Sequence, residues 1–112
     1  MNLGKKYARG VRRKPGEMNR WERDYSEHLT GLKFAGDVLW FEFDALKLRL
    51  ADKTFYTPDF FVMTAALELE VHEVKGHWED DARVKIKVAA SRFPFRFKAI
   101  TRVKKEWVVE EL

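Results

Sequence analysis

Two short segments carry side chains suited to phosphodiester chemistry. Tyr56-Thr57-Pro58-Asp59-Phe60 presents one carboxylate, and fourteen residues after it Glu73-Val74-Lys75-Gly76 presents a second carboxylate and an amine. Hard divalent cations take carboxylate oxygens, and water on such a cation is a nucleophile at neutral pH. A positive side chain near the attacking water or the developing charge lowers the barrier further. Residues two apart on a strand share a face, so Glu73 and Lys75 project side by side. Asp59, on a neighbouring extended segment, can meet them across a sheet. Each piece alone has a plainer reading: Pro58-Asp59 as a turn, Lys75 as a solvated strand end, Glu73 with Lys75 as a surface ion pair contributing about 0–1 kcal/mol. The phase favours chemistry. Leu67, Leu69 and Val71 share a face with Glu73 and Lys75, opposite Glu68, Glu70 and His72. A carboxylate ending an apolar row is costly unless it is paired or binds a cation. Gly76, directly after, permits close approach of a backbone or ligand.

Glu22 is a candidate third acid. It flanks a helical stripe between Trp21 and Tyr25, with Glu17 and Glu27 as rivals and a helix-surface role as the alternative. His72 and His77 match no common zinc spacing, and His77 is a candidate phosphate contact. Arg83 and Lys87, four apart on one helix face, are candidates to track a nucleic-acid backbone, against the plainer reading of a solvated face. Trp78 reads as core. Neither a P-loop nor a dinucleotide-binding glycine pattern is present.

The elements that must position these residues follow from periodicity. Met18, Trp21, Tyr25, Leu29 and Leu32 recur at helical spacing, with Gly31 near the expected end. Residues 37–50 alternate as a strand interrupted once, and Asp52-Lys53 turns the chain into a further strand over 54–62. Residues 67–75 form the clearest strand. A second helix runs over 79–92 with Ala82, Ile86, Ala89 and Phe93 inward and acids in its first turn. Short strands follow around 95–100 and 107–109. Glu73, the helix and Phe97 suggest a right-handed parallel crossover. The expected class is α/β, a small mixed sheet flanked by helices, with a basic flexible arm at 1–16 and one domain over 17–112.

The 112 residues carry a net charge of +4, unevenly placed. The first twenty hold seven bases (Lys5, Lys6, Arg9, Arg12, Arg13, Lys14 and Arg20) against one acid, whereas the other fifteen bases face seventeen acids. A basic arm on a near-neutral body fits a polyanionic partner such as DNA, or a solvated tail. The absence of cysteine excludes disulfides and thiolate metal sites. No apolar run reaches membrane-helix length, and no h-region follows the basic start. The expected setting is the cytoplasm, without membrane contact.

The run from Thr57 to Arg83, above all Thr57-Pro58-Asp59-Phe60 and Glu73-Val74-Lys75-Gly76-His77-Trp78-Glu79, resembles the phage endonuclease I family of Holliday-junction resolvases. That family lies within the PD-(D/E)xK nuclease superfamily. Trp21-Glu22-Arg23-Asp24-Tyr25-Ser26-Glu27-His28-Leu29 matches its first-helix pattern. The resemblance implies a restriction-endonuclease-like core and Mg2+-dependent hydrolysis of branched DNA, with Mn2+ as a substitute and a bacterial host cytoplasm as the setting. It implies metal ligation by Glu22, Asp59, Glu73 and the Val74 carbonyl, with Lys75 positioning or activating water. It also implies DNA contacts by the basic arm and a homodimer with exchanged segments. The chain ends sooner after Trp107 than better-known members do. The alternatives are a nicking nuclease of the same core and a catalytically inactive DNA-binding protein.

Overall fold

The computed structural model describes residues 16–112. The arm residues Lys5, Lys6, Arg9, Arg12, Arg13 and Lys14 lie outside them.

The first helix, α1 (Arg20–Ala35), starts where Asn19 caps it. The Asn19 side chain accepts from the Glu22 N–H, and Glu22 Oε1 accepts from the Asn19 N–H, both at 2.8 Å. This reciprocal capping box satisfies two donors that a helix start leaves open. Gly31 lies within the helix, four residues before its last residue, and does not terminate it. The helix stops at Gly36, whose φ of 89° is the left-handed conformation that glycine adopts without penalty.

Seven strands follow. β1 (Val38–Phe43), β4 (Phe60–Thr64), β5 (Leu69–Lys75), β6 (Arg96–Val103) and β7 (Glu106–Glu111) form one sheet in the order β1-β4-β5-β6-β7. The β5–β6 pair is parallel and the other pairs are antiparallel. The parallel step is bridged by α2 (Asp80–Arg92), as the sequence leads one to expect. The extended segment expected at 54–62 is split. Thr54–Tyr56 is β3, paired with β2 (Leu48–Ala51) in a separate hairpin, and Thr57-Pro58-Asp59 is the link into β4. Proline cannot donate to a ladder, so the break falls there.

The sheet is packed on both faces. On one, Tyr25 and Leu29 of α1 meet Val38, Phe60, Val62, Val74 and Ile100. On the other, Ile86 and Ala89 of α2 meet Leu48, Leu50, Tyr56, Val71 and Phe97. Strand β5 lies in the middle, so its expected polar face is buried as well. Glu70 and His72 lie under α1, where His72 bridges Tyr25 Oη at 2.7 Å and Glu70 Oε1 at 2.8 Å. Lys98 completes the chain 3.1 Å from Glu70. Buried polar groups persist when each finds a partner. Leu67 is not on the strand; it sits in the β4–β5 turn with φ 65°, largely exposed.

Candidate active site

The link into β4 and the end of β5 are tied together by the two predicted carboxylates. Continuing the β4–β5 register past Phe60↔His72 sets Pro58 opposite Val74. Pro58 has no N–H to offer, so the ladder stops. Side chains take over. Asp59 Oδ2 accepts the Val74 N–H at 2.8 Å, and Glu73 Oε1 accepts the Asp59 N–H at 3.1 Å. Each acid thus holds the other's strand. Glu73 Oε1 also accepts from the Tyr56 hydroxyl at 2.8 Å, and its Oε2 lies 3.4 Å from Lys75 Nζ. The even spacing of Glu73 and Lys75 along β5 sets the amine beside the carboxylate, as expected.

One buried acid, Glu73, and one half-buried acid, Asp59, face one amine. Loss of hydration and the charge of Glu73 push the Asp59 carboxyl up to about 9, against the pull of the Val74 N–H and Lys75; Glu22 adds to the upward push. Burial also raises Glu73, opposed by Lys75 and by the Tyr56 hydroxyl. Burial, followed by the charge of Glu73, pushes the Tyr56 phenol up, so it stays a donor. The protein compensates two negative charges here only in part, so the pair retains a proton near neutral pH, and a bound cation would take that proton's place.

Asp59 borders an open cleft of about 590 Å³. Glu22 lines the same cleft, with Glu17, Asp44, Thr57 and Lys47. The structure thus brings Glu22 to the right side of the molecule, but its Oε1 is engaged in the helix cap. Among the described residues, no three or more His, Asp or Glu side chains converge closely enough to hold a metal ion. Glu27 is exposed on α1 and does not line the cleft.

The other predicted contacts are dispersed. His77 is exposed, 3.7 Å from Glu79. Arg83 donates from Nη2 alone to both carboxylate oxygens of Glu110 on β7, at 2.8 and 2.9 Å, and its guanidinium lies over Trp78. One arm of its guanidinium is thus committed within the fold. Lys87 is exposed beside the Glu110–Leu112 end of the chain. Trp78 is partly buried core, as expected, and its buried indole N–H has no hydrogen-bond partner among the described residues.

Three contributors escaped sequence reasoning. Tyr56 holds Glu73; its signal was its place on the inward face of 54–56. Asp44 donates its N–H to the Asp59 carbonyl at 2.9 Å, and its Oδ2 accepts the Gly16 N–H at 3.0 Å. Its signal was the break in alternation after Phe43. Trp21 presses on Gly76 so closely that a Cβ there would lie 2.6 Å from the indole. The close approach expected at Gly76 is thus an internal one, joining the end of β5 to the helix that carries Glu22.

No family model, curated protein or solved structure matches this chain.

Proposed function

We propose that this chain is a metal-dependent DNA endonuclease with a restriction-endonuclease-like core, hydrolysing phosphodiester bonds in branched DNA. The observation that carries the reading is the mutual lock of Asp59 and Glu73 at the β4–β5 edge, with Lys75 against Glu73. The branched substrate and a two-fold dimer rest on the family resemblance. Two copies would present two cutting centres to a symmetric junction.

The residues fit a hard cation. Mg2+ commonly keeps several waters and needs only one or two protein carboxylates, and Asp59 with Glu73 supplies two whose proton affinity is raised. In a ladder, the N–H and C=O of one residue face the same neighbour. The Val74 carbonyl therefore faces the Asp59 segment, where Pro58 offers it no donor. Glu22 would join across the cleft, through waters or by a rotamer change that releases its cap. A bound divalent ion would polarise the phosphate and supply a water of lowered pKa.

The protein's own groups do the rest. Tyr56 fixes the Glu73 carboxylate so that one oxygen serves the Asp59 backbone and the other faces Lys75. Lys75 Nζ, 37% exposed at the side-chain level, can hold the attacking water or the non-bridging phosphate oxygen. Its charge offsets the build-up of negative charge in the transition state.

The test is hydrolysis of four-way-junction, flap and linear DNA with Mg2+, by wild type, Glu73→Ala and Lys75→Ala. Loss of about 100-fold or more in rate in folded variants supports the reading. A folded Glu73→Ala protein that cuts as fast as wild type refutes it. Binding without Mg2+-dependent cutting would identify an inactive DNA-binding protein, and equal cutting of all three substrates a general nicking nuclease.

A further inference from the structure

Resting on that nuclease reading, we infer that the outer face of the β2–β3 hairpin is a nucleic-acid surface that receives an unpaired base beside the cutting centre. The hairpin is a sheet of its own, with Leu48, Leu50 and Tyr56 turned inward against α2 and β5. Alternation then puts Lys47, Arg49 and Phe55 on the outside. Arg49 and Phe55 are cross-strand partners, and Lys47 Nζ lies 4.6 Å from the Phe55 ring centre. Lys53 is exposed at the turn. Phe55 remains 40% exposed, and the Arg49 side chain 61%.

A lone exposed phenylalanine needs no explanation. This one is bracketed by three cations, and the one acid of the hairpin, Asp52, lies 3.6 Å from Arg49 in an exposed pair that salt and solvent weaken. The face also adjoins the carboxylates at both ends. Leu46 and Lys47 line the cleft with Asp59, and Tyr56, next to Phe55, bonds Glu73. Three other cations are paired internally: Arg83 with Glu110, Arg96 with Glu68 and Glu111, and Lys98 with Glu70. Lys47 instead lies on an aromatic ring. Cations that track phosphates, set around an exposed π-face, are the means by which proteins hold strands with accessible bases. A fully stacked duplex offers no base face to Phe55. A strand at a branch point or flap does. The hairpin therefore selects for local unpairing, while the carboxylates supply the chemistry.

The test uses the full chain in chelator, so that binding is read without hydrolysis. Fluorescence anisotropy is measured for an oligonucleotide duplex with and without a two-nucleotide bulge. Phe55→Leu, which keeps apolar bulk, is expected to weaken binding of the bulged duplex about tenfold and to leave plain-duplex binding within about twofold. Phe55→Trp is expected to restore it. Lys47→Gln with Arg49→Gln is expected to weaken both and lower the salt slope by about 2. Equal binding of the bulged duplex by wild type and a folded Phe55→Leu protein overturns the inference, as does an equal loss on both duplexes. If Glu73→Ala abolishes cutting while Phe55→Leu changes nothing, the hairpin inference fails and the nuclease reading stands. If no DNA is cut but Phe55→Leu shows the selective loss, the nuclease reading fails and the surface stands.

Discussion

Replacing Asp59 by asparagine should make this protein more stable while removing the proposed cation ligand. The folded state raises the Asp59 carboxyl from 3.8 to about 9, chiefly by burial and then by the charge of Glu73. Between those values the folded chain binds more protons than the unfolded chain. Stability conferred by the protonated acid is therefore full below about pH 4 and is lost as pH rises toward about 9. At about pH 8 the cost of keeping this carboxyl protonated is at most about 6 kcal/mol, from 1.36 kcal/mol per pK unit. Penalties of this kind correspond to an effective interior dielectric near 20 rather than 4, so the expected gain for Asp59→Asn is about 1–3 kcal/mol. Asparagine can still accept the Val74 N–H through its carbonyl oxygen. Each kcal/mol corresponds to about 4–8 °C in Tm for a domain of this size. The assay is thermal and urea unfolding of wild type and variant at about pH 5 and about pH 8, with chelator or with millimolar Mg2+. The variant should exceed wild type by more at about pH 8 than at about pH 5. Mg2+ should stabilise wild type and have little effect on the variant, because a ligand stabilises only the state that binds it. A variant less stable than wild type at both pH values, or equally stabilised by Mg2+, would refute the claim that Asp59 is a destabilised acid poised for a cation.

Other expectations follow from the same geometry. Tyr56→Phe removes a donor to Glu73 Oε1; the Glu73 carboxyl should rise further, and the acidic limb of the pH–rate profile should move to higher pH with the fold retained. Glu22→Gln keeps a side chain able to complete the capping box but removes its charge. If Glu22 serves the cutting centre, the rate falls and the apparent Mg2+ requirement rises while Tm stays put; an unchanged rate would reduce Glu22 to a helix cap. Gly76→Ala drives a methyl into the Trp21 indole at 2.6 Å and should cost about 1–3 kcal/mol in denaturant unfolding. Trp21→Leu should recover part of that loss in a double-mutant cycle.

Much of this architecture was readable from local pattern. The Met18–Leu32 stripe, the 67–75 alternation and the acid-led helix over 79–92 each express a period that the backbone imposes, and all three elements form close to where it sets them. The Glu73/Lys75 pair was readable for the same reason, since a two-residue spacing on a strand admits one outcome. The end of α1 was less legible. Gly31 and Gly36 are both glycines near its close, and only Gly36 adopts the left-handed cap. The split at Thr57-Pro58-Asp59 was also hidden, because Thr54–Val62 reads as one β-rich run.

What chain order could not convey is which elements lie face to face. Periodicity says that Glu70 and His72 share a side of β5, but not that α1 covers that side and supplies Tyr25 as a partner. It sets Arg83 and Lys87 on one helix face, but not that β7 returns with Glu110 to occupy Arg83. It offers Glu22 as a third acid, but not that the same carboxylate closes a helix cap at the rim of the Asp59 cleft. Short-range steric and hydrogen-bonding rules act within a few residues and so survive in the one-dimensional record. Burial, proton affinity and ion pairing depend on neighbours brought together from distant parts of the chain, and these exist only once the sheet has closed between its two helices.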